Sequence, residues 1–108
     1  MKAILSAATG TGAWKLFQVS TSIHTIQVVF TGTISALSVA IEGSIDGANI
    51  FALETHELSS EELAAKKVMF HIVNKLVEYV RVNITVLTGA GAVTVYHSPA
   101  DAASRQVD

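Results

Sequence analysis

Residues 37–53 read Leu-Ser-Val-Ala-Ile-Glu-Gly-Ser-Ile-Asp-Gly-Ala-Asn-Ile-Phe-Ala-Leu, and the fold is decided by how they are read. Leu37, Val39 and Ile41 alternate with Ser38, Ala40 and Glu42, a period of two that gives a strand one apolar face and one polar or small face. Asp46-Gly47 then makes a tight turn. Glycine takes positive φ without a Cβ clash, and aspartate tolerates it while its carboxylate bonds nearby backbone amides. Residues 49–55 return as the second strand, so Asp46, Gly47 and Asn49 are read as a structural turn.

The flanking runs look like partners for this hairpin. Upstream, Ile26, Val28 and Phe30 share one face against Thr25, Gln27 and Val29, and Gly32 ends the run. Residues 13–19 form an earlier strand, with Trp14 and Leu16 on one side and Phe17 and Val19 on the other. Downstream, residues 68–73 resume strand character and Asn74-Lys75 turns the chain into its longest alternation, residues 77–88. There Val80, Val82, Ile84 and Val86 oppose Tyr79, Arg81, Asn83, Thr85 and Leu87. Gly89-Ala90-Gly91 reads as the turn of a closing hairpin, with Val93 and Val95 inward on residues 92–97. One helix interrupts the strands, at residues 59–67. Ser59 and Glu62 have capping-box spacing, Leu58 and Leu63 are placed for a hydrophobic staple, and Glu62 and Lys66 form an i,i+4 pair.

Seven or so short strands with one crossover helix predict an all-β chain, an antiparallel two-sheet β-sandwich of jelly-roll type; a closed barrel is the structural alternative. The expected organisation is a flexible N-terminal arm over residues 1–12, the sandwich over 13–98 and a polar C-terminal tail over 99–108. The chain of 108 residues suits one domain, and with half of them hydrophobic it has enough apolar surface to fold. Only 15% are charged, which suits a surface that packs against copies of itself or a partner.

Several function classes recede on composition. A net charge of −2, with lysines and arginines scattered except for Lys66-Lys67, offers no footprint for nucleic acid. There is no cysteine, hence no disulfide framework, thiolate nucleophile or cysteine zinc site. No apolar run approaches the roughly 20 residues that cross a bilayer, and the opening Met-Lys-Ala-Ile-Leu is too short for a signal peptide, so a soluble protein without a membrane partner is expected.

No constellation points to catalysis, and no enzyme is expected. His24, His56, His71 and His97 form no local ligand pair, so a metal site would have to be assembled in space with Glu54, Glu57 or Asp46. Polar strand positions on an exposed face or interface are the preferred reading of these histidines, and no cofactor is expected. Glu61-Glu62 diverge by about 100° on a helix and fit its first turn, where negative charge opposes the macrodipole. Serine, histidine and aspartate occur without a nucleophile elbow. The Gly-x-Gly pairs near Gly10 and Gly89 do not continue into a phosphate cradle. A ligand-binding module is the competing class, with the loops around Asp46 to Asn49 and Gly89 to Gly91 taking sugar or calcium and Glu42 nearby.

The run Glu42-Gly-Ser-Ile-Asp-Gly-Ala-Asn-Ile-Phe-Ala-Leu resembles a pattern in small β-sandwich structural proteins of tailed bacteriophages and prophages. Tyr79-Val-Arg-Val-Asn-Ile-Thr, the Thr-Gly-rich turn and Val93-Thr-Val-Tyr96 are similar to their closing hairpin. Where such proteins often carry Trp after the Asn, this chain has Ile50-Phe51. The resemblance implies a virion component assembled in the bacterial cytoplasm, either a decoration or cement protein on the capsid or a tail, neck or baseplate subunit. It implies homo-oligomers such as trimers that contact the major capsid protein or other virion proteins. No functional residue carries over from the resemblance. Met1, Ile4, Leu5 and Trp14, in the segment 1–14, are the expected interface residues.

Overall fold

The computed structural model describes residues 1–99. Seven antiparallel strands and one helix follow in the order β1 (Lys2–Ala8), β2 (Gly12–Ala13), β3 (Phe17–Thr21), β4 (His24–Ser44), β5 (Phe51–Glu57), α1 (Ser60–Ala65), β6 (Lys67–Ile72) and β7 (Val77–Pro99). All the strands belong to one hydrogen-bonded sheet. This corrects the expected pair of sheets with a jelly-roll path. The runs at 25–31 and 37–45 are one strand, and so are those at 77–88 and 92–97.

β4 and β7 pair along their whole lengths, from His24 opposite Pro99 to Ser44 opposite Tyr79. At about 3.3 Å per residue, the 21 residues of β4 would reach roughly 70 Å if straight. The longest dimension of the molecule is 41 Å. The pair must therefore bend, and it does so where glycines face each other. Gly32 lies opposite Gly91, and Gly89 lies opposite Ile34. Gly32 and Gly89 take φ of 86° and 116°, and a Cβ on either would collide with the carbonyl oxygen of Ala90 or Thr33. Register shifts between Ile34 and Ala36 and between Ser38 and Val39 add bulges, which increase bend and twist.

The bend divides the sheet into two halves, each four strands across. In the first, β6 flanks residues 24–29 of β4 and β1 flanks the end of β7. In the second, β5 flanks residues 38–43 of β4 while β2 and β3 flank the start of β7. The halves fold onto each other. His56 of β5 stacks on Phe70 of β6 with ring centroids 4.8 Å apart, and the Lys2 ammonium of β1 sits 4.4 Å from the centre of the Phe17 ring of β3. Between them, Ile26, Val28, Leu37, Val39, Ile41, Val80, Val82, Ile84, Val93 and Val95 form one buried cluster. The bulges reset strand parity, which is why even positions face inward before the bend of β4 and odd ones after it.

The residues expected to be a flexible arm are part of this sheet. β1 pairs with residues 93–97 of β7, and Ile4 and Leu5 are buried in the core. The expected tail lies outside the described residues from position 100 on; Pro99 ends β7 opposite His24. The helix forms as its caps predict. The Ser59 hydroxyl accepts from the Glu62 amide, the Glu62 carboxylate accepts from the Ser59 amide, and Lys66 closes the helix at φ 61°. It bridges the bend, since Leu58 donates to the Leu37 carbonyl on one side and Phe30 to the Lys66 carbonyl on the other.

Because Gly89 needs positive φ and carbonyl contact at once, Gly89→Ala is expected to destabilise the fold by about 2–4 kcal/mol in denaturant titrations. Gly10→Ala, where an added Cβ would have open space, is expected to change it by less than about 0.5 kcal/mol.

Candidate functional site

Away from the bend, the folded sheet has an open end where the termini of both halves meet. Two connections cross it, residues 22–23 from β3 to β4 and residues 73–76 from β6 to β7, tied by the Lys75 amide donating to the Ser22 carbonyl at 3.1 Å. The six-residue loop 45–50 joins β4 to β5 at the same end. It replaces the tight Asp-Gly turn expected from the sequence.

That loop is wound around one carboxylate. Asp46 Oδ1 accepts from the amides of Ala48 and Asn49, both at 2.9 Å, and from the Ser44 hydroxyl at 3.0 Å. Asp46 Oδ2 accepts from the Asn49 side-chain amide at 2.7 Å, and the Gly47 amide donates to the Ser44 hydroxyl. The Asn49 and Ala48 amides, helped by the Asn49 and Ser44 side chains, hold the Asp46 carboxyl well below the usual carboxylate range. The three turn residues read from the sequence, Asp46, Gly47 and Asn49, thus come together, with Ser44 as a fourth member. Gly89 to Gly91 do not join them. They lie at the bend, about 30 Å along the strands from this loop, so the two loops of the ligand-binding reading do not form one site.

Behind the end, two of the four histidines meet inside the core. His24 Nδ1 and His97 Nε2 are 2.8 Å apart and His24 Nε2 is 3.0 Å from the Lys75 carbonyl. A carbonyl only accepts, so in the neutral pair His24 carries its hydrogen on Nε2 and accepts through Nδ1 from His97 Nε2–H. The pair ties both long strands to the 73–76 connection. The other two lie elsewhere, His56 against the Glu62 carboxylate at 3.0 Å and His71 against the Thr25 hydroxyl. The Ser59 amide and then His56 hold the Glu62 carboxyl below its usual range. Among the described residues no three histidine or acidic groups are placed to hold a metal ion.

The rest of the end is apolar and open. Ile45, Phe51 and Leu76 are 70%, 67% and 63% exposed, around a cleft of about 420 Å³ whose floor is Gly43, Leu53 and Val77. Met1, Ile23 and Val73 are exposed at the same end. These six are most of the nine large hydrophobic side chains exposed among the described residues. Of the expected interface residues, Met1 and Trp14 are exposed, at 81% and 40%, whereas Ile4 and Leu5 are core. Trp14 follows β2, its amide donating to the Val82 carbonyl, at one side of a shallow groove formed by residues 5–14 along the sheet edge. The sequence does not single out this end: residues 37–53 read as a tight hairpin, and Phe51, which pairs opposite Gly43, is exposed all the same.

No known protein family matches this chain, and no curated protein does. Its fold is similar to the crystal structure of the SPBc2 prophage-derived protein YomS. The TM-score is 0.55, with 13% sequence identity over 90% of each chain.

Two measurements check this geometry. Asp46 has a depressed folded pKa, so the unfolded chain binds more protons and stability falls with pH; the contribution is full above about pH 5 and is lost as pH drops through 4 and below. Asp46→Ala is therefore expected to lower the urea midpoint at pH 6, with the gap to the parent narrowing towards pH 2. His24→Leu strips the Lys75 carbonyl of its donor, and a loss of about 1–3 kcal/mol is expected, against little change for exposed His71→Leu.

Proposed function

We propose that this chain is a non-enzymatic structural component of a phage particle, a decoration or cement protein that binds the assembled head through its surface. The likeness of its whole fold to a prophage-derived protein carries this reading. The chemistry of the chain supports it. Its buried polar side chains are engaged in holding the fold, the Asp46 loop and the histidine pair above all, and its distinctive surface features are apolar rather than ionic.

The contact with the particle is assigned to the edge formed by β1 and residues 9–14. Among the described residues β1 is paired on one side only, which leaves its outer edge open to an extended partner segment. Trp14 stands beside it, half-exposed, a residue type that dominates binding energy at interfaces. The edge carries a single cation, Lys2. Deleting residues 1–14 would strip Ile4 and Leu5 from the core, so a point substitution is the sound test.

The chain is expected in purified particles by mass spectrometry, and recombinant protein is expected to co-sediment with particles lacking it. Trp14→Ala should weaken that binding at least tenfold with an unchanged melting temperature. Absence of the chain from particles, together with failure to co-sediment, would refute the reading.

A further inference from the structure

We propose that the apolar open end is the surface on which a second copy of this chain docks, about a twofold axis. The proposal concerns a different face from the particle-binding edge and does not depend on it.

Three observations favour a copy of the chain as the occupant. The first is area. Ile23, Ile45, Phe51, Val73 and Leu76 together expose roughly 600 Å², so two copies covering them fully bury up to about 1,200 Å² from these residues, which reaches the lower bound for a specific interface.

The second is shape. A twofold contact uses the same patch on both partners, so that patch must carry both a projection and a recess. Here Phe51 projects at the border of the cleft, and the cleft itself is the recess. Its floor is closed at Gly43, where a Cβ would lie 2.8 Å from Val77 Cγ1 and 3.0 Å from Leu53 Cδ1. In the twofold dimer the Phe51 ring of each copy faces the cleft of the other.

The third is charge. The rim of the end carries charges of both signs, among them Asp46 in the 45–50 loop and Lys75 in the 73–76 connection, both exposed. In a twofold contact any Asp46–Lys75 pairing across the axis occurs twice. A surface with rim charges of one sign would repel its own copy.

The test is the mass of the full chain in solution, by sedimentation equilibrium between 1 and 200 µM, a range set by the weak affinity expected of an interface this small. A monomer–dimer equilibrium is expected. Leu76→Glu and Phe51→Glu should each weaken it at least tenfold, with far-UV circular dichroism and melting temperature unchanged, while Val86→Glu, on β7 away from this end, should leave it intact. If a glutamate variant unfolds, Lys75→Glu replaces it, and should weaken the dimer and abolish its salt dependence. A chain ending at Pro99 should dimerise as the full chain does. A parent chain that stays monomeric, a dimer indifferent to all three end variants, or dimerisation only after that truncation would each overturn the proposal; the last would mean that the chain's own tail occupies the end. A monomer that still binds particles overturns this inference alone, and a dimer that binds none overturns the particle reading alone.

Discussion

The constraint on which everything else depends is the continuous antiparallel pairing of β4 with β7. Two strands of this length, hydrogen-bonded throughout, cannot lie straight in a molecule 41 Å long. The ladder therefore bends, and the bend turns a single sheet into two facing halves. Burial follows from this, because the short helix contributes no fully buried residue of its own. The apolar face of each half is covered mainly by the other, with Leu58 and Leu63 packed against the same cluster.

Much of this was legible in residues. The alternations at 25–31, 37–43 and 80–84 place Ile26, Val28, Phe30, Leu37, Val39, Ile41, Val80, Val82 and Ile84 on the inner face as read, whereas past the bulge at Thr85 Val86 is exposed and Leu87 packs against the core. The Ser59–Glu62 box starts the helix where its spacing says it should. What escaped is how the runs connect. Gly32 and Gly89-Ala90-Gly91 carry the same signal as turn residues, since positive φ serves a chain reversal and a bend within a paired ladder alike. Only the pairing of Gly32 with Gly91 separates the two uses, and pairing is not a local property. Ile4 and Leu5 were obscured for a similar reason: among alanines and serine they read as a loose arm until β7 supplies a partner strand.

The candidate site was legible in part. Asp46 and Asn49 announced the loop, because the aspartate side chain bonds the amides that follow it whatever the loop length. The contact between His24 and His97 could not be read, since their 73-residue separation is closed only by the long ladder. The apolar end is a matter of termination. Where the two halves stop at different points, side chains that would be core become surface, and the periodicity of the strand does not register where its cover ends.

The pairing of β7 also has a kinetic side. Among the described strands its partners are β1, β2, β3 and β4, so the strand to which four of the other six bond is synthesised after all of them. Until then β1 to β3 have no ladder to join and β4 lacks its principal neighbour. Folding is thereby deferred until β7 has been synthesised, and it proceeds through contacts remote in sequence, the regime of slow two-state domains. During synthesis the Val- and Ile-rich β4 lacks its principal partner, so the nascent chain is most open to aggregation in the interval before β7 emerges.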